Sequence, residues 1–183
     1  MTEREKMCRG ELYRASDPEL VDDRLRARRL CREYNEALET LSSDGGGILD
    51  ELLGSKPAKL VIELRFRCDY GYNIHLGENF YANFDLVILD VCEVRIGCNF
   101  MAAPRVSICA ATHPVDAATR VDGLEYGEPI RIGDNVWVGA HAVINPGVTL
   151  GDNVVVGAGA VVTGSHPSNV VIAGVPARVI REL

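Results

Sequence analysis

From Ile132 to Val162 the aliphatic residues fall every sixth position: Ile132, Val138, Ile144, Leu150, Val156 and Val162. Four places after each of the first five stands a small side chain: Val136, Ala142, Val148, Val154 and Ala160. Neither the helical period of 3.6 nor the strand period of 2 produces a six-residue beat. A parallel β-helix does, because each hexapeptide is one short strand plus a corner, and three of them close a triangular coil of about 18 residues. Leu150-Gly151-Asp152-Asn153 repeats Ile132-Gly133-Asp134-Asn135 one such coil later. The same corner is foreshadowed by Leu76-Gly77-Glu78-Asn79 and Ile96-Gly97-Cys98-Asn99, so the rhythm begins near Leu60. The pattern predicts a mostly β coil domain over residues 58–183.

The beat fails once. It runs from Ile96 through Ala102 and Ile108, then is lost until Ile132. Residues 114–131 carry Pro114, Gly123, Gly127 and Pro129 and are expected to form a loop thrown out from the coil, with His113 at its root. Long loops in a strict solenoid tend to be functional.

Residues 1–57 have another texture and are expected to form a small helical segment. Ser16-Asp17-Pro18-Glu19 supplies a capping side chain, a proline for the first turn and an acid near the positive end of the dipole. Leu20, Val21, Leu25, Cys31, Tyr34, Leu38 and Leu41 then recur at roughly helical spacing as far as Ser42-Ser43. Gly45-Gly46-Gly47 breaks the chain, Ile48 to Leu53 is expected to make a short helix, and Pro57 ends it. Arg24, Arg28 and Arg32 stand four apart and share one helical face, either as a solvated basic stripe or, for at least Arg24, facing a ligand.

The chain of 183 residues carries a formal charge of −7, the wrong sign for a nucleic-acid partner. No apolar run approaches the ~20 residues that span a membrane, and the charged opening Met1-Thr2-Glu3-Arg4-Glu5-Lys6 leads us to expect no secretory signal. Six cysteines, without a CxxC pair or metal spacing, suit reduced thiols in a cytoplasmic protein. Of the four histidines, His75 and His166 fall at coil corners and read as structural. His141, outward beside Trp137-Val138-Gly139, is either a ligand contact or a surface residue. His113 is the candidate base, since an imidazole is neutral near pH 7 and can take a proton from an attacking hydroxyl.

Further motifs join these. They are Gly10-Glu11-Leu12-Tyr13-Arg14, Arg67-Cys68-Asp69-Tyr70-Gly71-Tyr72-Asn73, Asn79-Phe80-Tyr81-Ala82-Asn83-Phe84-Asp85 and Leu89-Asp90-Val91-Cys92. Ala111-Thr112-His113-Pro114, Asn145-Pro146-Gly147-Val148-Thr149 and Gly174-Val175-Pro176-Ala177-Arg178 follow. Over nearly its whole length the chain resembles the maltose/galactoside acetyltransferase group of hexapeptide-repeat acyltransferases. The resemblance implies a left-handed parallel β-helix, whereas parallel crossovers are otherwise almost always right-handed. It also implies transfer of acetyl from acetyl-CoA to a sugar hydroxyl, commonly the 6-hydroxyl, with no metal and no covalent enzyme intermediate. His113 matches the general base and the Ala140 N–H the oxyanion donor. Arg24, Asp69, Tyr81 and Asn83 match acceptor contacts. Ala158, Thr163, Gly164, Arg178 and Arg181 match coenzyme A contacts, with Gly164 standing where relatives often carry lysine. Ala15 and Val91 replace acids of the galactoside branch, and the Leu89-Asp90-Val91-Cys92 run suits the maltose branch. The group assembles as homotrimers with active sites between subunits.

The arginines fit this on their own chemistry. Residues 61–183 hold no lysine and eight arginines, and Arg178 and Arg181 stand three apart where a pyrophosphate or 3′-phosphate needs cationic partners. Other classes fit less well. A carbonic anhydrase on the same coil needs three converging histidines, and His113 and His141 stand 28 apart with no close His partner for His113. A non-catalytic sugar-binding scaffold would not need His113, Arg178 and Arg181 together, and an antibiotic acetyltransferase would not be expected to share the 1–57 segment. Cys109 is the rival nucleophile, but it sits in regular coil without an activating partner.

Overall fold

The computed structural model describes residues 1–183. Their spine is a left-handed parallel β-helix whose three sides are parallel sheets. One side stacks Leu60–Ile62, Phe80–Ala82, Met101–Ala102, Trp137–Val138, Val154–Val156 and Val170–Gly174. The second stacks Arg67–Cys68, Val87–Leu89, Ser107–Cys109, Val143–Ile144 and Val161–Val162. The third stacks Ile74–Leu76, Val94–Ile96, Ile130–Ile132 and Thr149–Leu150. The hexapeptide positions point inward: Ile132, Val138, Ile144, Leu150, Val156 and Val162 are all buried. So are the small residues Val136, Ala142, Val148, Val154 and Ala160, which turn the corners inside the prism. In the earlier coils Phe80 and Phe100 take that place and stack at 5.1 Å.

The repeated Gly-x-Asn corner has a plain cause. Asn79, Asn99, Asn135 and Asn153 are left-handed, with φ between 55° and 59°, a conformation asparagine tolerates. Their side chains ladder from coil to coil, Asn79 donating to Asn99 at 3.0 Å and Asn99 to Asn135 at 2.9 Å. A Cβ on Gly77 would lie 2.5 Å from the Gly97 carbonyl carbon, so the stacked backbones leave room for glycine alone.

The coil register pairs Ile96 with Ile132, which places the excursion between two strands of one side. It leaves earlier and returns sooner than residues 114–131. Ala111–Thr112 is already peeling off, and Ile130–Ile132 is back in the coil, because the Ile130 N–H is taken by the Glu93 carbonyl. The excursion is also ordered: a short helix, Ala117–Val121, leads to the strand Leu124–Gly127, which pairs antiparallel with both Ala111–Thr112 and Tyr13–Arg14. The N-terminal segment therefore braces the loop.

That segment holds three helices: α1 (Glu3–Cys8), α2 (Pro18–Glu39) and α3 (Gly46–Leu52). The first is too short to show a period and is set by a capping box between Thr2 and Glu5. As read from sequence, Asp17 caps α2 and Pro18 opens it. The helix stops before Ser42-Ser43: Thr40 folds its hydroxyl back onto the Glu36 carbonyl, and Leu41 turns left-handed and exposed. The third helix takes in Gly46 and Gly47 and ends one residue before Leu53. Leu30, Cys31 and Tyr34 of α2 and Leu49 and Leu52 of α3 belong to the same apolar cluster as the coil interior. The Asn35 side chain closes the open end of the prism, accepting from the N–H groups of Arg65 and Phe66 and donating to the Phe66 carbonyl.

Candidate active site

The N-terminal segment, the coil and the excursion meet where the excursion leaves the coil. His113 follows the strand Ala111–Thr112, and its neighbour strand carries Glu125; Nε2 of His113 lies 3.7 Å from Oε2 of Glu125. The other oxygen of Glu125 accepts the Tyr13 hydroxyl at 2.8 Å, and burial together with that carboxylate pushes the Tyr13 phenol far up. The imidazole stays open, with 58% of its side chain exposed against 21% for Glu125. Such a group can meet a substrate while its carboxylate partner is held from behind.

Asp69 completes the acidic side. Burial raises its pKa, the Arg24 guanidinium opposes that rise, and the Glu125 carboxylate adds to it. Arg24 is fixed by two acceptors, the Tyr70 hydroxyl at 2.7 Å and the Ala15 carbonyl at 2.6 Å. Burial pushes the Tyr70 phenol up to about 12. Thus Arg24, Asp69 and His113 come from helix, coil and loop into one neighbourhood.

The shape of the Asp69 segment comes from Asp90, which is fully buried. Its Oδ1 accepts from the N–H groups of Asp69 (3.1 Å) and Tyr70 (2.9 Å), and its Oδ2 from Gly71 (2.7 Å) and Asn73 (3.3 Å). Four backbone donors around one carboxylate fix the 69–73 segment. Burial outweighs those bonds and raises the Asp90 carboxyl to about 7. Cys109, on the coil strand below, is no activated thiolate, since burial and then Asp69 push its thiol up.

Tyr81 and Asn83 stand apart from this group. Tyr81 faces outward on another side of the prism, in register with Val61 and Met101, and the Asn83 side chain accepts its neighbour Phe84's N–H at 2.8 Å. Val61, Met101 and Trp137 on that side are each about half exposed. Arg178 and Arg181 lie on the strand Ala177–Glu182, antiparallel to Val170–Gly174 at the far end of this same side. Ala140, Ala158, Thr163 and Gly164 occupy coil positions between them and the excursion. The Ala140 N–H donates to no backbone carbonyl, while its own carbonyl accepts from Gly159. His75 bonds Ser55 through Nδ1 at 2.9 Å and His166 bridges Leu150, whereas His141 sits exposed with a left-handed φ of 60°.

Reasoning from the residues did not find Glu125, Tyr13 or Asp90 as parts of this site. Tyr13 and Asp90 lay within motifs quoted for the family resemblance, but Glu125 sits in the excursion, where no period marks which side chains turn inward.

Known proteins share this fold. Residues 6–57 match the family model described as the maltose acetyltransferase hexapeptide capping motif, and residues 129–164 match the hexapeptide repeat of succinyl-transferase. The structure of a maltose O-acetyltransferase from Clostridium difficile superposes with a TM-score of 0.97 at 51% identity, covering 100% of this chain and 98% of that one. A galactoside acetyltransferase in complex with coenzyme A gives 0.93 at 43% identity, covering 100% and 91%. Escherichia coli galactoside O-acetyltransferase is 44% identical over 179 residues, 98% of this chain and 88% of its own length. The chain therefore belongs to the maltose/galactoside acetyltransferase group of hexapeptide-repeat acyltransferases, and it is an acetyltransferase that uses acetyl-CoA as co-substrate.

Proposed function

We propose that the protein transfers the acetyl group of acetyl-CoA to a hydroxyl, the 6-hydroxyl, of maltose, glucose or a related sugar in the cytoplasm. The observation that carries this reading is the open imidazole of His113 beside the buttressed carboxylate of Glu125, with Asp69 and Arg24 alongside. His113 takes the hydroxyl proton as the sugar oxygen attacks the thioester carbonyl, and Glu125 stabilises the imidazolium that forms. The free N–H of Ala140 meets the developing oxyanion. As the tetrahedral species collapses, the carbon–sulfur bond breaks and the imidazolium returns its proton to the thiolate. Asp69 and Arg24 hydrogen-bond sugar hydroxyls, and such a site discriminates against analogues that lack them.

The active unit is a homotrimer. Tyr81 and Asn83 lie on a different side of the prism from His113, and the side that carries them is half-exposed and apolar at Val61, Met101 and Trp137. Cyclic closure makes three identical contacts. It brings Tyr81, Asn83 and the coenzyme A contacts Ala140, Ala158, Thr163, Gly164, Arg178 and Arg181 of one subunit to His113 of the next. The test is thiol release from acetyl-CoA against maltose, glucose, galactosides and chloramphenicol. Turnover with the glucosyl acceptors above the others supports the reading; turnover with chloramphenicol alone overturns it.

A further inference from the structure

One cavity beside the His113 group is lined by three arginines and a single carboxylate. It lies between α2 and the coil side bearing Arg67–Cys68 and Val87–Leu89, with a volume of about 560 Å³, a size typical of small-molecule sites. Arg28 and Arg32 line it from the helix and Arg67 from the coil, over an apolar wall that includes Phe66 and Leu89. None of these three arginines belongs to an ion pair of the chain. Elsewhere on α2 each arginine has a partner within the chain, a carboxylate for Arg29 and neutral oxygens for Arg24 and Arg26. Arg29 pairs with Glu33 at 3.1 Å and Glu51 at 3.4 Å, and Arg26 donates to the Glu51 carbonyl. Arg24, Arg28 and Arg32 also repeat at i, i+4, a like-charge spacing that works against the helix. A protein of net charge −7 has carboxylates to spare, yet only Asp69 borders this cavity.

Asp69 also belongs to the His113 group, so the cavity continues the acceptor site. Guanidinium forks pair in bidentate fashion with phosphate and carboxylate. We propose that Arg28, Arg32 and Arg67 form an anion subsite, and that the acceptor is an acidic sugar whose phosphate or carboxylate sits there while its free hydroxyl reaches His113. This rests on the sugar-acceptor reading above and narrows it to a chemical class.

The test compares matched acceptors that all keep a free 6-hydroxyl. They are α-glucose 1-phosphate against methyl α-glucoside, and maltobionate, which carries a carboxylate, against maltose. Wild type should show kcat/KM about tenfold or more higher for each anionic member, the worth of one charge-assisted bond. The triple variant Arg28→Gln, Arg32→Gln, Arg67→Gln should bring both ratios to about one, with the neutral acceptors changed by less than about twofold. Inorganic phosphate should compete with glucose 1-phosphate and leave methyl glucoside unaffected; activation of methyl glucoside turnover would make the ligand a free anion and overturn the acidic-sugar assignment. Ratios of about one in wild type overturn the proposal. So does a triple variant of reduced assembly mass with its preferences intact, since the arginines would then answer acids of a second copy. Turnover of acetyl-CoA on some other acceptor and on none of these four sugars overturns the sugar reading itself, and the subsite with it.

Discussion

His113 and Glu125 face each other at 3.7 Å across a two-strand ribbon that the coil period does not describe. The carboxylate is held in place by Tyr13, 112 residues away in sequence. The N-terminal segment thus reaches the carboxylate partner of the candidate base through one hydrogen bond.

Glu125→Gln keeps the shape and removes the charge beside the imidazole. The account expects kcat to fall by about tenfold with the acetyl-CoA KM unchanged, as for an interaction made in the transition state. A rise in acceptor KM at constant kcat would instead assign the carboxylate to sugar binding.

Arg178→Ala should raise the KM for acetyl-CoA with little change in kcat, because phosphates far from the reacting carbon supply uniform binding. Steady-state kinetics with a truncated thioester lacking the 3′-phosphate provides the control. Equal weakening of both donors would make Arg178 a structural residue of the C-terminal strand pair.

Asp90 predicts a pH dependence of stability. Its folded pKa, about 7, lies above the unfolded value of about 4, so between those limits the folded state binds the extra proton. Stability should therefore fall as pH rises from about 4 to about 7 and level off above, as far as this group is concerned. Asp90→Asn removes that dependence, and its amide cannot accept from all four N–H groups, so the 69–73 segment loosens and activity drops. Thermal melts of both proteins across this range decide the point; parallel curves would show that Asp90 stays ionised throughout.

Assembly is tested by subunit mixing. His113→Ala and the double variant Arg178→Ala, Arg181→Ala should each be strongly impaired alone. Co-expressed in equal amounts, they should form trimers in which about a quarter of the interfaces join an intact His113 to an intact arginine pair. About that share of wild-type activity should return. No recovery in trimers verified by mass would place the whole site within one chain.

The coil was legible because its cause is local and repeated. Each sixth residue must fill the same corner of the same triangle, so Ile132 to Val162 announces the fold and the Asn79-type corners announce its level spacing. His113 was legible as a candidate because it stands where that beat stops. Glu125, Tyr13 and Asp90 were hidden for the same physical reason. Their roles depend on pairing between Tyr13–Arg14 and Leu124–Gly127 and on burial against the 69–73 segment, long-range contacts that leave no period in the chain. The α2 arginines were visible as a stripe, but that Arg67 stands across from them required the packing of helix on coil.

The central claim is that His113 drives direct acetyl transfer to a sugar hydroxyl. Its most direct test sets His113→Ala beside wild type with acetyl-CoA and maltose, following thiol release and locating the acetyl group on the product by NMR. The account predicts an acetyl ester at a 6-hydroxyl, formed about 10²–10⁴ times more slowly by the variant, whose coenzyme A binding is unchanged. A variant that keeps more than about half the wild-type rate, or an acetyl thioester trapped on Cys109, would contradict it.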